Sequence, residues 1–247
     1  MSALTRTRPR AYWWIGRSNF GDLLTPLLLD YHADVKVEWA DPARADVVCV
    51  GSVLEHLPPN WPGVVAGAGK LREESEICLP RARILGLRGP LSARGLRGDF
   101  AFGDPALLAN ELVQVEKRYE LGLVPHWSDR QLETRFGEYK PRIIRVTDDP
   151  LWVLKEIGRC RKIVSSSLHG IIVADAFGIP RRIETCPTVT REGGDFKFRD
   201  HNAAVGVPHE IGKTQQAHRF RVQNCQHQVW DMLQEVGQLI SREDRWF

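Results

Sequence analysis

Between a β-type run, Lys162-Ile163-Val164, and a helix-type run, Ile171 to Phe177, stand six residues: Ser165-Ser166-Ser167-Leu168-His169-Gly170. A strand that ends in small hydroxyl residues and turns straight into a helix leaves the helix's first backbone N–H groups without intrahelical acceptors. Here it also sets an imidazole beside them. That arrangement suits an anion, and histidine, which ordinarily titrates at about 6.5, exchanges protons near neutral pH. The same residues also read as a serine-capped helix with one polar side chain in its first turn. Spacing alone does not separate the two.

Open parallel sheets bind ligands at the C-terminal ends of their strands, and four more segments have that position. Gly16-Arg17-Ser18-Asn19-Phe20-Gly21-Asp22 follows the opening strand and leads into a helix, although it is not GxGxxG. Gly51-Ser52 follows Val47 to Val50. Both segments also read as turns or caps. In Gly86-Leu87-Arg88-Gly89-Pro90, an arginine falls between a buried strand and a proline-started helix, where its planar fork suits a carboxylate or phosphate better than it serves solubility. Gly103-Asp104-Pro105-Ala106 offers a carboxylate that acts on a hydroxyl or caps a helix.

The elements that must position these residues alternate along the chain. Apolar runs at Ala11 to Ile15, Val35 to Trp39, Asp46 to Val50, Val64 to Ala66 and Ile84 to Leu87 read as buried parallel strands, with a helix at Asp22 to His32. The same grammar returns at Leu121 to Val124, Ile143 to Val146, Ile163 to Ser165 and Arg182 to Glu184, with helices at Ser128 to Phe136, Asp149 to Arg159 and Leu168 to Phe177. The expectation is an α/β protein of two parallel-sheet halves, residues 1–115 and 116–247, facing each other across a cleft. Val222, Cys225, Val229, Met232, Leu233, Val236, Leu239 and Ile240 recur at three- and four-residue intervals and predict a closing helix on the core. Gly193-Gly194 marks a loop before Phe196 to Asp200.

The 247 residues, 43% hydrophobic and 26% charged, are enough for a sizeable core. The net charge of +3 is mild, but the positive residues cluster: Arg6, Arg8 and Arg10; Arg81, Arg83, Arg88, Arg94 and Arg97; Lys155, Arg159, Arg161 and Lys162; Arg181 and Arg182. Such surfaces suit anionic substrates or are solvated helix faces, and no nucleic-acid motif accompanies them. Five widely spaced cysteines without a CxxC pair indicate neither a disulfide framework nor a zinc site, so a reducing compartment is expected. No apolar run approaches the roughly 18 residues of a membrane span. The expectation is a cytoplasmic protein with at most peripheral contact with the inner membrane.

Six segments then appear in order: NFGD (Asn19 to Asp22), GLRGPLSARGL (Gly86 to Leu96), GDPALL (Gly103 to Leu108), GLVPHWSD (Gly122 to Asp129), SSSLHGIIVADAFGIP (Ser165 to Pro180) and FKFRD (Phe196 to Asp200). Together they resemble the polysaccharide pyruvyl transferase family, and within it the short ketal pyruvate transferases of bacterial exopolysaccharide assembly, from about residue 12 to about residue 206. The resemblance implies two Rossmann-like halves arranged as in GT-B glycosyltransferases, with the acceptor on the N-terminal half and the donor on the C-terminal half. It implies phosphoenolpyruvate as co-substrate, no cofactor or obligatory metal, and a pyruvate ketal built on a sugar of a lipid-linked oligosaccharide with release of phosphate. It marks His169, Arg88 and Asp104 for catalysis. Arg88, Ser166, His169, Gly170, Lys197 and Arg199 would bind the donor, and Asn19, Asp22, Gly51 and Ser52 the acceptor. Many relatives carry an arginine where this chain has Ser167, so the missing cation is expected from Arg181 or Arg199. Two other readings stand beside this one: a GT-B glycosyltransferase using a nucleotide sugar, with Glu184 as its candidate for the donor's hydroxyls, and a non-catalytic glycan-binding scaffold.

Overall fold

A computed structural model describes residues 8–191 and 193–241; Arg6 of the first basic cluster lies outside them. The first half carries six short parallel strands: β1 (Arg10–Ala11), β2 (Glu38–Trp39), β3 (Val47–Val48), β4 (Val64–Ala66), β5 (Arg83–Leu87) and β6 (Ala101–Phe102), in the order β2-β1-β3-β4-β5-β6. Helix α1 (Phe20–Ala33) connects β1 to β2, and a 3-10 helix (Pro105–Leu112) follows β6. Val47, Val48, Val64, Val65 and Ala66 are wholly buried, as uniformly apolar strands covered on both faces must be. The first three strands are shorter than their apolar runs, and two further details differ from the sequence reading. Residues 90–95 after β5 form turns rather than a helix, and β6 is an added edge strand.

The second half contains β7 (Gly122–Val124), α2 (Leu132–Phe136), β8 (Arg142–Ile143), α3 (Pro150–Gly158), β9 (Ile163–Ser165), α4 (Leu168–Ala176), β10 (Arg181–Ile183), α5 (Pro187–Arg191), α6 (Phe196–Val205), β11 (Thr214–Gln215) and α7 (Arg219–Ser241). Its sheet has the order β11-β10-β9-β7-β8. The expected all-parallel sheet is corrected at one edge, where β11 runs antiparallel to β10. The chain reaches that edge from the C-terminal end of β10, where the Gly212 N–H donates to the Ile183 carbonyl at 2.9 Å, and it can only run back. Helix α2 begins later than the expected Ser128 because Asp129 Oδ1 takes the N–H groups of Gln131 and Leu132, closing a turn ahead of the helix.

The two halves share one core. A single apolar cluster contains Leu24 and Leu28 of α1, Leu107 of the 3-10 helix, Ile171 and Ile172 of α4, and Val229 and Leu233 of α7. Helix α4 packs on the 3-10 helix, and α7 crosses back to cover α1 and the first sheet. No helix among the described residues is long and apolar enough to cross a membrane.

Polar contacts fasten the seam through α6. Asp200, with no exposed surface, accepts from Arg88 Nε (2.9 Å), Ser92 Oγ (2.6 Å) and the backbone N–H groups of Leu91 (2.8 Å) and Ser92 (2.9 Å), all in the first half. The next two residues face the second half: His201 Nε2 lies 2.9 Å from Asp175 Oδ2, and Asn202 Oδ1 accepts from Arg181 Nη2 at 2.6 Å. Gly89 allows this approach, since a Cβ there would overlap the Asp200 carbonyl. Asp200→Ala leaves a buried guanidinium and two N–H groups without their acceptor. It should lower stability by about 3–5 kcal/mol in denaturant titration; a loss under about 1 kcal/mol would show that the clasp is dispensable.

Candidate active site at the seam

Three strand ends and two helix starts converge where the halves meet. Asn19 caps α1, its Oδ1 accepting the Gly21 N–H at 3.2 Å, and the Phe20 N–H crosses the seam to the Val146 carbonyl at 2.7 Å. Against this turn lies His169 from the first turn of α4. A Cβ on Gly21 would overlap His169 Nδ1 and one on Gly51, where φ is +98°, would stand 3.0 Å from Asp22 Oδ1 and 3.9 Å from His169 Cε1. Two glycines therefore let the two halves close on one imidazole. Pro26, one turn beyond Asp22 in α1, has no N–H to give the Asp22 carbonyl.

On its other side His169 meets Asp104. Asp104 Oδ1 caps the 3-10 helix by accepting the Ala106 N–H at 2.9 Å, while Oδ2 faces His169 Nε2 at 3.7 Å, within reach of charge attraction but beyond a hydrogen bond. Both facing atoms are buried without a hydrogen-bond partner. Native interiors leave few polar atoms in that condition, and a catalytic role is one of the reasons for leaving them. Burial pushes the Asp104 carboxyl up, but the facing His169, the Ala106 N–H and Arg88 outweigh it and hold the group below the usual range. Asp22 goes the other way: burial, reinforced by Asp104 and only partly offset by His169 and Lys197, pushes it up to about 6. Two carboxylates beside one imidazole thus have opposite tendencies, one to stay ionised and one to hold a proton, and pairs pushed apart in this way mark acid and base roles.

Lys197, on the first turn of α6 and nearly buried, acts on both Asp22 and His126. His126 follows β7. Burial and the Lys197 charge, against Asp129, pull it down to about 4, so it is a neutral imidazole near pH 7.

Other residues marked from sequence have structural occupations. Arg88 is wholly buried; besides Asp200, its guanidinium donates to Ser52 Oγ (2.6 Å) and the Lys70 carbonyl (2.7 Å), which leaves no face for a ligand. Ser166 Oγ takes the His126 N–H at 2.9 Å and donates to Asp129 Oδ2 at 2.7 Å. Gly170 gives way to Ser165 Oγ and the Val124 side chain, a contact a Cβ would block. Both arginines expected to supply the supplementary cation are paired with carboxylates. Arg181 is sealed on Asp175, Asn202 and Gln215, and Arg199 is held by Asp195 at 3.0 Å and Glu73 at 2.5 Å. His126 and Asp129 lie within a motif already noted, at a strand's C-terminal end, which is the signal that would have found them. Asp200 ends the FKFRD motif but lies within a helix rather than at a strand end, so its partnership with Arg88 had no local signal. Among the described residues no three His, Cys, Asp or Glu side chains are grouped to hold a metal ion.

Because Asp22 binds its proton more tightly folded than unfolded, its contribution to stability is fully present below pH 3.8 and is lost as pH rises through about 6, roughly 3 kcal/mol in all. Asp22→Asn should therefore be more stable than the parent above pH 6 by up to that amount, measured by denaturation across pH 4–8. A less stable variant at pH 7.5 would contradict the burial argument. Gly21→Ala should instead displace the imidazole, lowering turnover by at least ~10²-fold while the folded fraction at 25 °C is kept.

Residues 66–182 match the family model described as polysaccharide pyruvyl transferase. The chain is 34% identical over 114 residues to the uncharacterized protein L143 of Acanthamoeba polyphaga mimivirus, covering 42% of this chain and 40% of that protein. It is 30% identical over 220 residues to the succinoglycan biosynthesis protein ExoV of Rhizobium meliloti (strain 1021), covering 79% of this chain and 64% of ExoV. The chain thus spans under two thirds of each relative. No solved structure matches it. The matched stretch runs from β4 to β10 and contains Arg88, Asp104, His126 and His169, so much of the seam lies within the part of the chain that is similar to the polysaccharide pyruvyl transferase family.

Proposed function

We propose that the chain transfers a pyruvyl group from phosphoenolpyruvate to two hydroxyls of a sugar, on a lipid-linked exopolysaccharide repeat unit, forming a ketal and releasing phosphate. The observation that carries this reading is the buried His169 Nε2–Asp104 Oδ2 pair, each atom without a hydrogen-bond partner, beside a carboxyl that holds a proton to about pH 6.

In this reading Asp22 gives its proton to the methylene carbon of the enol phosphate, which becomes a methyl group. The first sugar hydroxyl then adds to the cationic carbon, and His169 takes its proton while Asp104 stabilises the imidazolium. His169 passes that proton to the phosphate as the C–O bond breaks. The second hydroxyl adds to the renewed cationic centre, and its proton restores Asp22. One proton enters the methyl group, one leaves with phosphate, and the protein returns to its starting state. Lys197 and the backbone at the start of α4 stabilise the donor's negative charge.

The nucleotide-sugar reading is weaker because Glu184, its candidate acceptor for donor hydroxyls, is engaged on both oxygens, by Arg135 at 2.8 Å and Arg182 at 2.6 Å. A scaffold has no use for opposed carboxylate tendencies around one imidazole.

His169→Asn keeps a polar side chain but exchanges no proton near neutral pH. Phosphate release from phosphoenolpyruvate in the presence of extracted lipid-linked oligosaccharide should fall by at least ~10²-fold with the thermal midpoint little changed. Parental turnover in this variant, or release of nucleoside diphosphate from a nucleotide-sugar panel run in parallel, would overturn the reading. Since Asp22 must be protonated, kcat/KM for the donor should fall as pH rises above about 6; a flat profile from pH 5 to 8 would remove Asp22 as the acid.

A further inference from the structure

A cavity of about 440 Å³ opens beside the seam in the second half, at the C-terminal ends of β7 and β8. Its size is that of a small-molecule site. His126 and Trp127 form one wall, and α2 with the turn before it forms another. The third wall, Val146 and Thr147, is tied to the loop that starts α1: the Val146 carbonyl accepts the Phe20 N–H and the Thr147 carbonyl accepts Ser18 Oγ at 3.2 Å. The cavity therefore adjoins the turn that carries Asp22, and Lys197 acts on His126 at the cavity and on Asp22 at the seam.

Its charge is balanced. The ionised lining groups are Asp129, Glu133, Arg130 and Arg145, two of each sign, and the Arg145 guanidinium is paired with the Glu133 carboxylate through both of its terminal nitrogens. His126 adds no charge near pH 7. A donor bearing both a phosphate and a carboxylate would need an excess of cations, and the lining groups supply none beyond Arg17, which stands against the Trp127 ring. What it offers is an indole, with the Arg17 guanidinium 4.4 Å from its ring centroid, and in the same lining the hydroxyls of Thr134 and Thr147 and the guanidinium of Arg130. An apolar C–H face with hydroxyls around its rim is the shape of a pyranose.

We propose that this cavity is the acceptor subsite and takes a neutral pyranose ring, with Trp127 as its platform. The second half then contributes to acceptor binding, and the donor's charge is met inside the seam. The assignment rests on the pyruvyl-transfer reading for the word acceptor, but binding tests it without turnover.

Saturation-transfer NMR with the methyl pyranosides of glucose, galactose and mannose, and calorimetry with phosphoenolpyruvate, would be run on the parent, Trp127→Ala and Thr134→Trp. Thr134 is exposed on α2 at the cavity, so its replacement narrows the space without touching the core, and it keeps the test alive if Trp127→Ala fails to fold. At least one glycoside should bind the parent and bind each folded variant ~10-fold or more weakly, while phosphoenolpyruvate affinity changes by less than about 2-fold. The proposal is overturned if no glycoside binds the parent, if Thr134→Trp binds glycosides as the parent does, or if the variants weaken phosphoenolpyruvate by ~10-fold instead. Failure of the pyruvyl-transfer reading looks different: the parent releases no phosphate from phosphoenolpyruvate, whatever the glycosides do here.

Discussion

Arg88 and Asp200 meet with no exposed surface on either side chain, one on the loop after β5 in the first half and the other on α6 in the second. A buried charge is tolerable only when it is paired and its remaining hydrogen-bonding capacity is satisfied. Both conditions hold here, because Ser52, the Lys70 carbonyl, Ser92 and the Leu91 N–H complete the set. The pair does more than join two surfaces. Lys197 lies one turn before Asp200 on the same helix, so anchoring Asp200 also decides where that ammonium stands relative to Asp22 and His126. His201 and Asn202 fasten the helix to Asp175 and Arg181. A short run of α6 thus places a cation and holds the seam in register.

Within the seam, burial has opposite consequences for two carboxylates about the same imidazole. Asp104 has an N–H from Ala106 and faces His169 and Arg88, which together suffice to keep it ionised. Asp22 is buried as fully, but Asp104 adds repulsion and its own hydrogen bonding is slight, so the neutral acid is favoured up to about pH 6. The difference comes from placement: Asp104 follows β6 and Asp22 sits in the first turn of α1, on either side of His169. Close approach is possible because Gly21 and Gly51 present no side chain to the space between them.

The neighbouring cavity is different: its two acidic and two basic lining groups cancel. Charged groups are concentrated in the buried seam, where low dielectric strengthens their interactions. The chain Ser166–Asp129, with the His126 N–H, physically links the two spaces.

Much of the scaffold was legible in the residues themselves. β4 and β9 fall where their apolar runs predict, α4 starts directly after the serine turn, and α7 follows its three-and-four stripe, because burial on a sheet or along a helix face imposes a short period on the sequence. His169 and Asp104 were legible as strand-end residues. Other features lay beyond the reach of any local pattern. Arg88 reads from sequence as an anion ligand, and only the fold brings Asp200 onto it from 112 positions away. The values of Asp22 and His126 depend on Lys197, which is distant from both along the chain. The reversed edge strand β11 follows from the chain reaching that edge at the C-terminal end of β10. Periodicity records which side of an element is buried; the partners it is buried against, and hence the charge each group carries, are decided only when the halves close.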